Sequence, residues 1–242
     1  MKKINLLIKI VFFLFITFNI SYTKEVQITT LDTQTIILEK TEKIMSEAYK
    51  QLELTMKIKK FPARRSLKIA NSGQVDGELY RVKDIDKSYP NLIIVPVSII
   101  SLEFVAFSKN EKIDIKGWES LLPYHVVYMR GVKAIEDRMP DNIFSDAVKT
   151  TKQAFLMLNL GRSDILIAPR QRALVTLKEL GLKDIKLLEP PLMTLPLFHY
   201  LHKKNRHLVE PLTQILLKMK DNGTIESIIK QIDQKWFGKS KL

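Results

Sequence analysis

Phe61-Pro62-Ala63-Arg64-Arg65-Ser66-Leu67-Lys68-Ile69-Ala70-Asn71-Ser72-Gly73 holds a helix start and a helix stop within thirteen residues. Pro62 stands where a helix begins, because its fixed φ suits the first turn, and Gly73 stands where it ends. The spacing therefore predicts a helix over 62–72 with Arg64 and Arg65 in its first turn. Residues 54–58 before it are β-prone, and residues 75–82 after it turn extended again. Further out, 26–31 is a short β-prone run, and Asp32 or Thr33 can cap the helix after it. Ile37, Leu38, Ile44, Met45, Ala48, Tyr49 and Leu52 then recur at the three-to-four spacing of an amphipathic helix. Two more extended runs cover 92–97 and 102–107.

A second alternation occupies the middle of the chain. Residues 125–129 and 164–168 read as strands, and 132–139, 147–160 and 171–180 as helices, with Gly161 stopping the second. Residues 185–188 are strand-like, and Pro190, Pro191 and Pro196 mark a connection rather than an element. An extended run at 197–202 leads to helices over 208–220 and 225–234, parted by Asn222-Gly223. Alternation of this kind predicts α/β architecture with helices on both faces of the sheet, and two such series predict two small lobes.

The chain has 242 residues, is 45% hydrophobic and 27% charged, and contains no cysteine. That composition excludes a disordered chain, a disulfide scaffold, a zinc ribbon and a thiol nucleophile. The net charge of +13 comes from 30 Lys and only 9 Arg. Lysine is a hydrated point charge rather than a bidentate phosphate fork, and no basic patch is interleaved with aromatics, so nucleic acid is not an expected partner. Lys2 and Lys3 lead into an apolar run purest over 10–16, followed by Ser21-Tyr22-Thr23. This reads as a cleaved signal peptide over 1–23. The mature chain then begins near Lys24, carries a charge of +10 and is periplasmic.

The order of motifs resembles a known family. Phe61 to Leu67, Ala70-Asn71-Ser72-Gly73, Asp76-Gly77-Glu78 with Arg81, Tyr89-Pro90-Asn91-Leu92, Leu160-Gly161-Arg162-Ser163-Asp164 and Met219 to Thr224 are similar to segments of bacterial extracellular solute-binding proteins of family 3. That group includes the amino-acid receptors of ABC importers. The resemblance implies a type II periplasmic-binding-protein-like fold, with two lobes joined by two crossover hinge strands and a ligand in the cleft between them. Carried onto this chain, lobe 1 is 24–106 plus 195–242 and lobe 2 is 107–194.

Several side chains are candidates for that cleft. Arg81 either holds a ligand carboxylate through two parallel hydrogen bonds or pairs at the surface with Glu78 or Asp84. Glu78 is that arginine's orienting partner, a ligand for a cationic group, or merely exposed. Arg64 and Arg65 reinforce a helix N-terminus that already attracts anions, or are solvated first-turn charges. Asp32 sits at the mouth of the cleft or caps the first helix. Arg130-Gly131-Val132-Lys133 is similar to the family's anion-binding loop, which makes Arg130, Gly131 and Lys133 candidates, although Val132 and Lys133 replace hydroxyl residues. Where the amino-acid receptors carry an acidic residue for the α-amino group, this chain has Pro169 and then Arg170. The expected ligand is therefore anionic or strongly polar.

His199, His202 and His207 with Glu210 could suggest a metal site, but Lys203, Lys204 and Arg206 oppose a dication, and no metal or other cofactor is expected. Trp118, Trp236 and Phe237 read as packing aromatics rather than ligand stackers. No nucleophile elbow, P-loop or paired-carboxylate arrangement occurs, so no enzyme activity is expected. The leading function is a monomeric periplasmic solute-binding protein for a small polar or anionic molecule, serving an ABC permease. The alternatives are a ligand-sensing module for a membrane receptor and a dehydratase-like enzyme using Glu78 or Asp32.

Overall fold

Two 17-residue strands, β4 (Leu92–Ser108) and β8 (Lys186–His202), run antiparallel for their whole length and tie the two ends of the molecule together. The computed structural model describes residues 24–32 and 35–238; the signal-peptide reading of 1–23 and the capping role offered to Thr33 lie outside the described residues.

At one end, β1 (Lys24–Leu31), α1 (Ile36–Lys50), β2 (Leu54–Phe61), α2 (Ala63–Asn71) and β3 (Gly77–Arg81) form two consecutive strand–helix–strand units. β1 lies between β2 and β3 and is parallel to both. Thr35 rather than Asp32 caps α1, its side chain accepting from the Leu38 amide at 3.2 Å. The apolar stripe of α1 buries Ile37, Ile44, Met45, Ala48 and Tyr49. The helices α6 (Val209–Asp221) and α7 (Thr224–Phe237) return to this end and pack Leu212, Leu216, Ile225 and Ile228 into the same core. Lys40 of α1 is buried with Asp233 of α7 at 2.6 Å, so the contact between these helices includes an ion pair as well as apolar area.

At the other end, β5 (Val126–Met129) is parallel to β6 (Ser145–Val148) and β7 (Ile165–Pro169). The short α3 (Lys133–Glu136), α4 (Thr151–Asn159) and α5 (Arg170–Leu180) connect and flank them. One core, with Ile113, Ile115, Val126 and Ile167, covers one face, and a second, with Val127, Phe155, Leu158 and Leu166, covers the other. The predicted helix over 147–160 is shorter than expected. Ala147 and Val148 pair in parallel with Tyr128 and Met129, and the helix starts only after Thr150, whose side chain accepts from the Gln153 amide at 3.1 Å.

The strand order is β2-β1-β3-β8-β4-β7-β5-β6. The hydrogen-bonded ladder is thus continuous, because both crossovers belong to both lobes, while the hydrophobic cores are separate. Pro190, Pro191 and Pro196, expected to mark a connection, lie inside β8, and Pro196 pairs with Ser101; β4 carries a proline of its own. Pro96 falls where the register shifts between Ile94 and Ser98, and Pro190 and Pro191 fall between the paired Leu188 and Met193. A proline lacks the N–H a ladder needs, and a bulge is where a strand tolerates it.

Gly77 is a tight point of the first sheet. A Cβ there would lie 2.2 Å from the Tyr200 carbonyl oxygen, which is backbone of β8 and cannot swing away. Gly77→Ala is expected to lower stability by about 2–3 kcal/mol through that overpacking, read as a drop in the urea midpoint with little change in slope. An unchanged midpoint would contradict this packing.

Candidate functional site

Between the two ends lies a cavity of about 590 Å³, within the size range of small-ligand sites. Lobe 1 contributes Leu31, Thr35, Ile36, Tyr80, Arg81 and Trp236; β4 contributes Leu102 and Phe104; the far wall is built from Met129, Val132, Gln171, Arg172, Val175 and Thr176. The wall follows from the fold. β1, β3, β5 and β7 end here, and helices or turns begin just beyond them, the usual place for ligands in α/β sheets.

Arg81 ends β3, and its side chain is only 11% exposed. Its Nη2 lies 2.5 Å from Oε1 of Glu78, a carboxylate with no solvent exposure. The other oxygen of Glu78 accepts from Thr29 Oγ1 at 2.7 Å and Ser66 Oγ at 2.6 Å. Burial pushes the Glu78 carboxyl above its ordinary range, while the Arg81 charge and the two hydroxyl bonds pull it down. Glu78 therefore stands behind the arginine and holds it, rather than reaching the cavity itself. Arg81 and Gln171 line the cavity, and Arg81 Nε and Gln171 Oε1 are buried without a hydrogen-bond partner among the described residues.

The other sequence candidates lie apart from this cavity wall. Arg64 and Arg65 are exposed on α2, and the Arg65 guanidinium stands 5.4 Å from the Phe61 ring centroid. Asp32 is exposed, its amide donating to the Phe61 carbonyl at 2.9 Å. Arg130 is exposed and donates to the Ala147 carbonyl at 3.0 Å. The loop after β5 closes on itself: the Gly131 amide donates to Glu136 Oε1 at 2.7 Å, and Lys133 lies 3.2 Å from Glu136 Oε2. Of that loop, Val132 lines the cavity.

Arg170 is held by two carboxylates. It pairs with Glu103 of β4 and makes a bidentate contact with Glu189 of β8 at 2.7 and 3.0 Å. The arginine facing the cavity from this helix is Arg172, two positions on, beside Gln171. Sequence reasoning missed these two and Trp236 as cavity-lining residues. The run Pro169-Arg170-Gln171-Arg172 carries a signal for the first two, since it opens a helix beside a strand end; nothing local marks Trp236. Its indole Nε1 donates to Glu39 Oε2 at 2.8 Å, and its carbonyl accepts from Lys178 Nζ of α5 at 2.9 Å, a bond between lobes. Trp236 thus packs against the lobe 1 core and also walls the cavity.

His199 is fully buried between Tyr49 Oη at 2.8 Å and the Leu79 carbonyl at 3.1 Å, and the His202 ring packs against Gly73. Among the described residues no group of three His, Cys, Asp or Glu side chains is placed to hold a metal ion, and no helix is long and apolar enough to cross a membrane.

No family model matches the chain. A Shewanella oneidensis protein of uncharacterised function is 30% identical over 197 residues, spanning 76% of this chain and 72% of the relative. The crystal structure of the probable amino-acid ABC transporter extracellular-binding protein of Bacillus subtilis superposes with a TM-score of 0.65 at 16% identity, over 90% of this chain and 99% of that one. A histidine kinase sensor domain with similarity to periplasmic binding proteins gives a TM-score of 0.58 at 11% identity, over 90% and 98%. The architecture is that of type II periplasmic binding proteins.

Proposed function

We propose that this chain, which belongs to one family with the uncharacterised Shewanella oneidensis protein and has the type II periplasmic-binding-protein fold, is an exported solute-binding protein. It captures a small anionic or polar molecule between its lobes and delivers it to an ABC permease. The hinge, expected near Phe107 and Thr194, falls in β4 and β8 about where Glu103 pairs with Thr194, since Phe104 to Phe107 pack into the cores of the second lobe. A ligand touching both walls stabilises the closed arrangement over the open one, and that difference is what a membrane partner reads.

The observation that carries this reading is Arg81: a side chain that lines an interlobe cavity, its guanidinium held by buried Glu78. A preorganised cation at such a wall favours an anionic group. The likeness to a histidine kinase sensor domain supports a second reading, in which the liganded form signals to a receptor; neighbouring genes for a permease and an ATPase, or for a receptor, separate the two.

A thermal-shift screen against organic anions, amino acids and polyamines tests the proposal. A ligand present at a hundred times its Kd should add about 2.7 kcal/mol of stability, and organic anions should give the largest shifts. Stabilisation by polyamines alone would reverse the sign of the site, and Glu78 and Asp32 would have to be its groups.

A further inference from the structure

The cavity wall is largely hydrocarbon. Leu31, Ile36, Phe104, Val132, Val175 and Leu197 all border it, with Trp236 at one side. Among the described lining residues, the acidic side chain is Glu179, which is exposed; Glu78 is not on the wall and is already engaged by Arg81, Thr29 and Ser66. An ammonium group in this cavity would thus face Arg81 and Arg172 with no buried carboxylate to balance it. The basic side chains of the wall are Arg81, backed by Glu78, and the exposed Arg172, with the Gln171 side chain beside them. A wall of this composition also gains by excluding water from its apolar part, which a fully polar solute does not achieve.

We propose that the ligand is an amphipathic monocarboxylate: a carboxylate beside the Arg81 and Arg172 side chains that line the cavity, no ammonium group, and an unbranched or aromatic hydrocarbon body laid along the apolar wall toward Trp236. This rests on the reading of the cleft as a solute site and names what that site takes. Trp236 is the residue that fixes how much hydrocarbon is covered. Glu39 anchors its indole and Lys178 anchors its carbonyl from the opposite lobe, so the ring stays at the wall.

Calorimetric titration of the purified protein with butyrate, hexanoate and octanoate, and with hexanamide and 2-aminohexanoate, tests this. Each added methylene should tighten binding about fourfold until the cavity is filled. Hexanamide, which lacks the charge, and 2-aminohexanoate, which adds an ammonium, should each bind at least about tenfold more weakly than hexanoate. Trp236→Ala should weaken octanoate about tenfold or more and leave butyrate within about threefold. Because the ligand series is measured on the unmodified protein, the test stands even if that variant folds poorly. Affinity independent of chain length, or tighter binding of 2-aminohexanoate than of hexanoate, overturns the monocarboxylate assignment while leaving a solute site in place. No heat from any carboxylate or amino acid overturns both.

Discussion

Arg81→Ala is expected to weaken binding of the cleft anion by about ten- to a hundredfold and to lower folding stability by about 3–5 kcal/mol. The two losses share one cause. The Arg81 side chain lines the cavity and gives Nη2 to Glu78, so removing it deprives the ligand of a charged donor and strands a buried carboxylate. Arg81→Lys should recover only part of the affinity, because one ammonium cannot reproduce a planar fork. The double variant Arg81→Met, Glu78→Gln separates the effects. The introduced glutamine would still accept from Thr29 and Ser66 through its amide oxygen and carries no charge, so most of the stability should return while affinity does not. Denaturant titration reads the first quantity and calorimetry the second; unchanged affinity in Arg81→Ala would place the anion site elsewhere.

Acid should weaken the fold well before its carboxylates are protonated. Burial holds the His199 ring down at about 4, whereas an unfolded chain takes up that proton near pH 6.5. A histidine depressed in the folded state contributes stability that is full above the unfolded value and is lost as pH falls toward the folded one. The expected loss between pH 6.5 and about 4 is about 3 kcal/mol. Glu78 opposes it, since a carboxyl raised in the folded state favours the fold as pH falls, and Asp76, held low by the Gln27 amide, Asn205 and Lys204 despite its burial, adds its own loss only at more acidic pH. His199→Asn, compared with the parent by urea titration at several pH values, isolates the histidine. Equal slopes in both proteins would remove His199 from this account.

What the sequence made legible is what local chemistry controls. Pro62 and Gly73 bracket α2 with strands on either side, and the stripe Ile37, Ile44, Met45, Ala48, Tyr49 defines the buried face of α1. The second crossover was not legible as a single strand because Pro190, Pro191 and Pro196 are local breakers, and only pairing with β4 carries β8 through them. β6 was hidden for a similar reason: Ala147 and Val148 suit a helix until β5 offers them an edge. In the site, the Arg81–Glu78 pair was visible as two nearby opposite charges; that Glu78 is buried beneath the arginine depends on Thr29 and Ser66, distant in the chain. The loop at 130–133 promised free amides, yet Glu136 takes the Gly131 amide. Gln171, Arg172 and Trp236 reach one cavity from α5 and α7, elements with no sequence proximity, and only the fold brings them together.

A small anion bridging the two lobes should hold them together, and small-angle X-ray scattering of the protein with and without a saturating amount of the anion giving the largest thermal shift measures that closure. The radius of gyration should fall on addition of the anion, and stay unchanged in the Arg81→Met, Glu78→Gln variant at the same concentration. An anion that raises the melting temperature yet leaves the parent's radius of gyration unchanged would contradict capture by closure of the cleft.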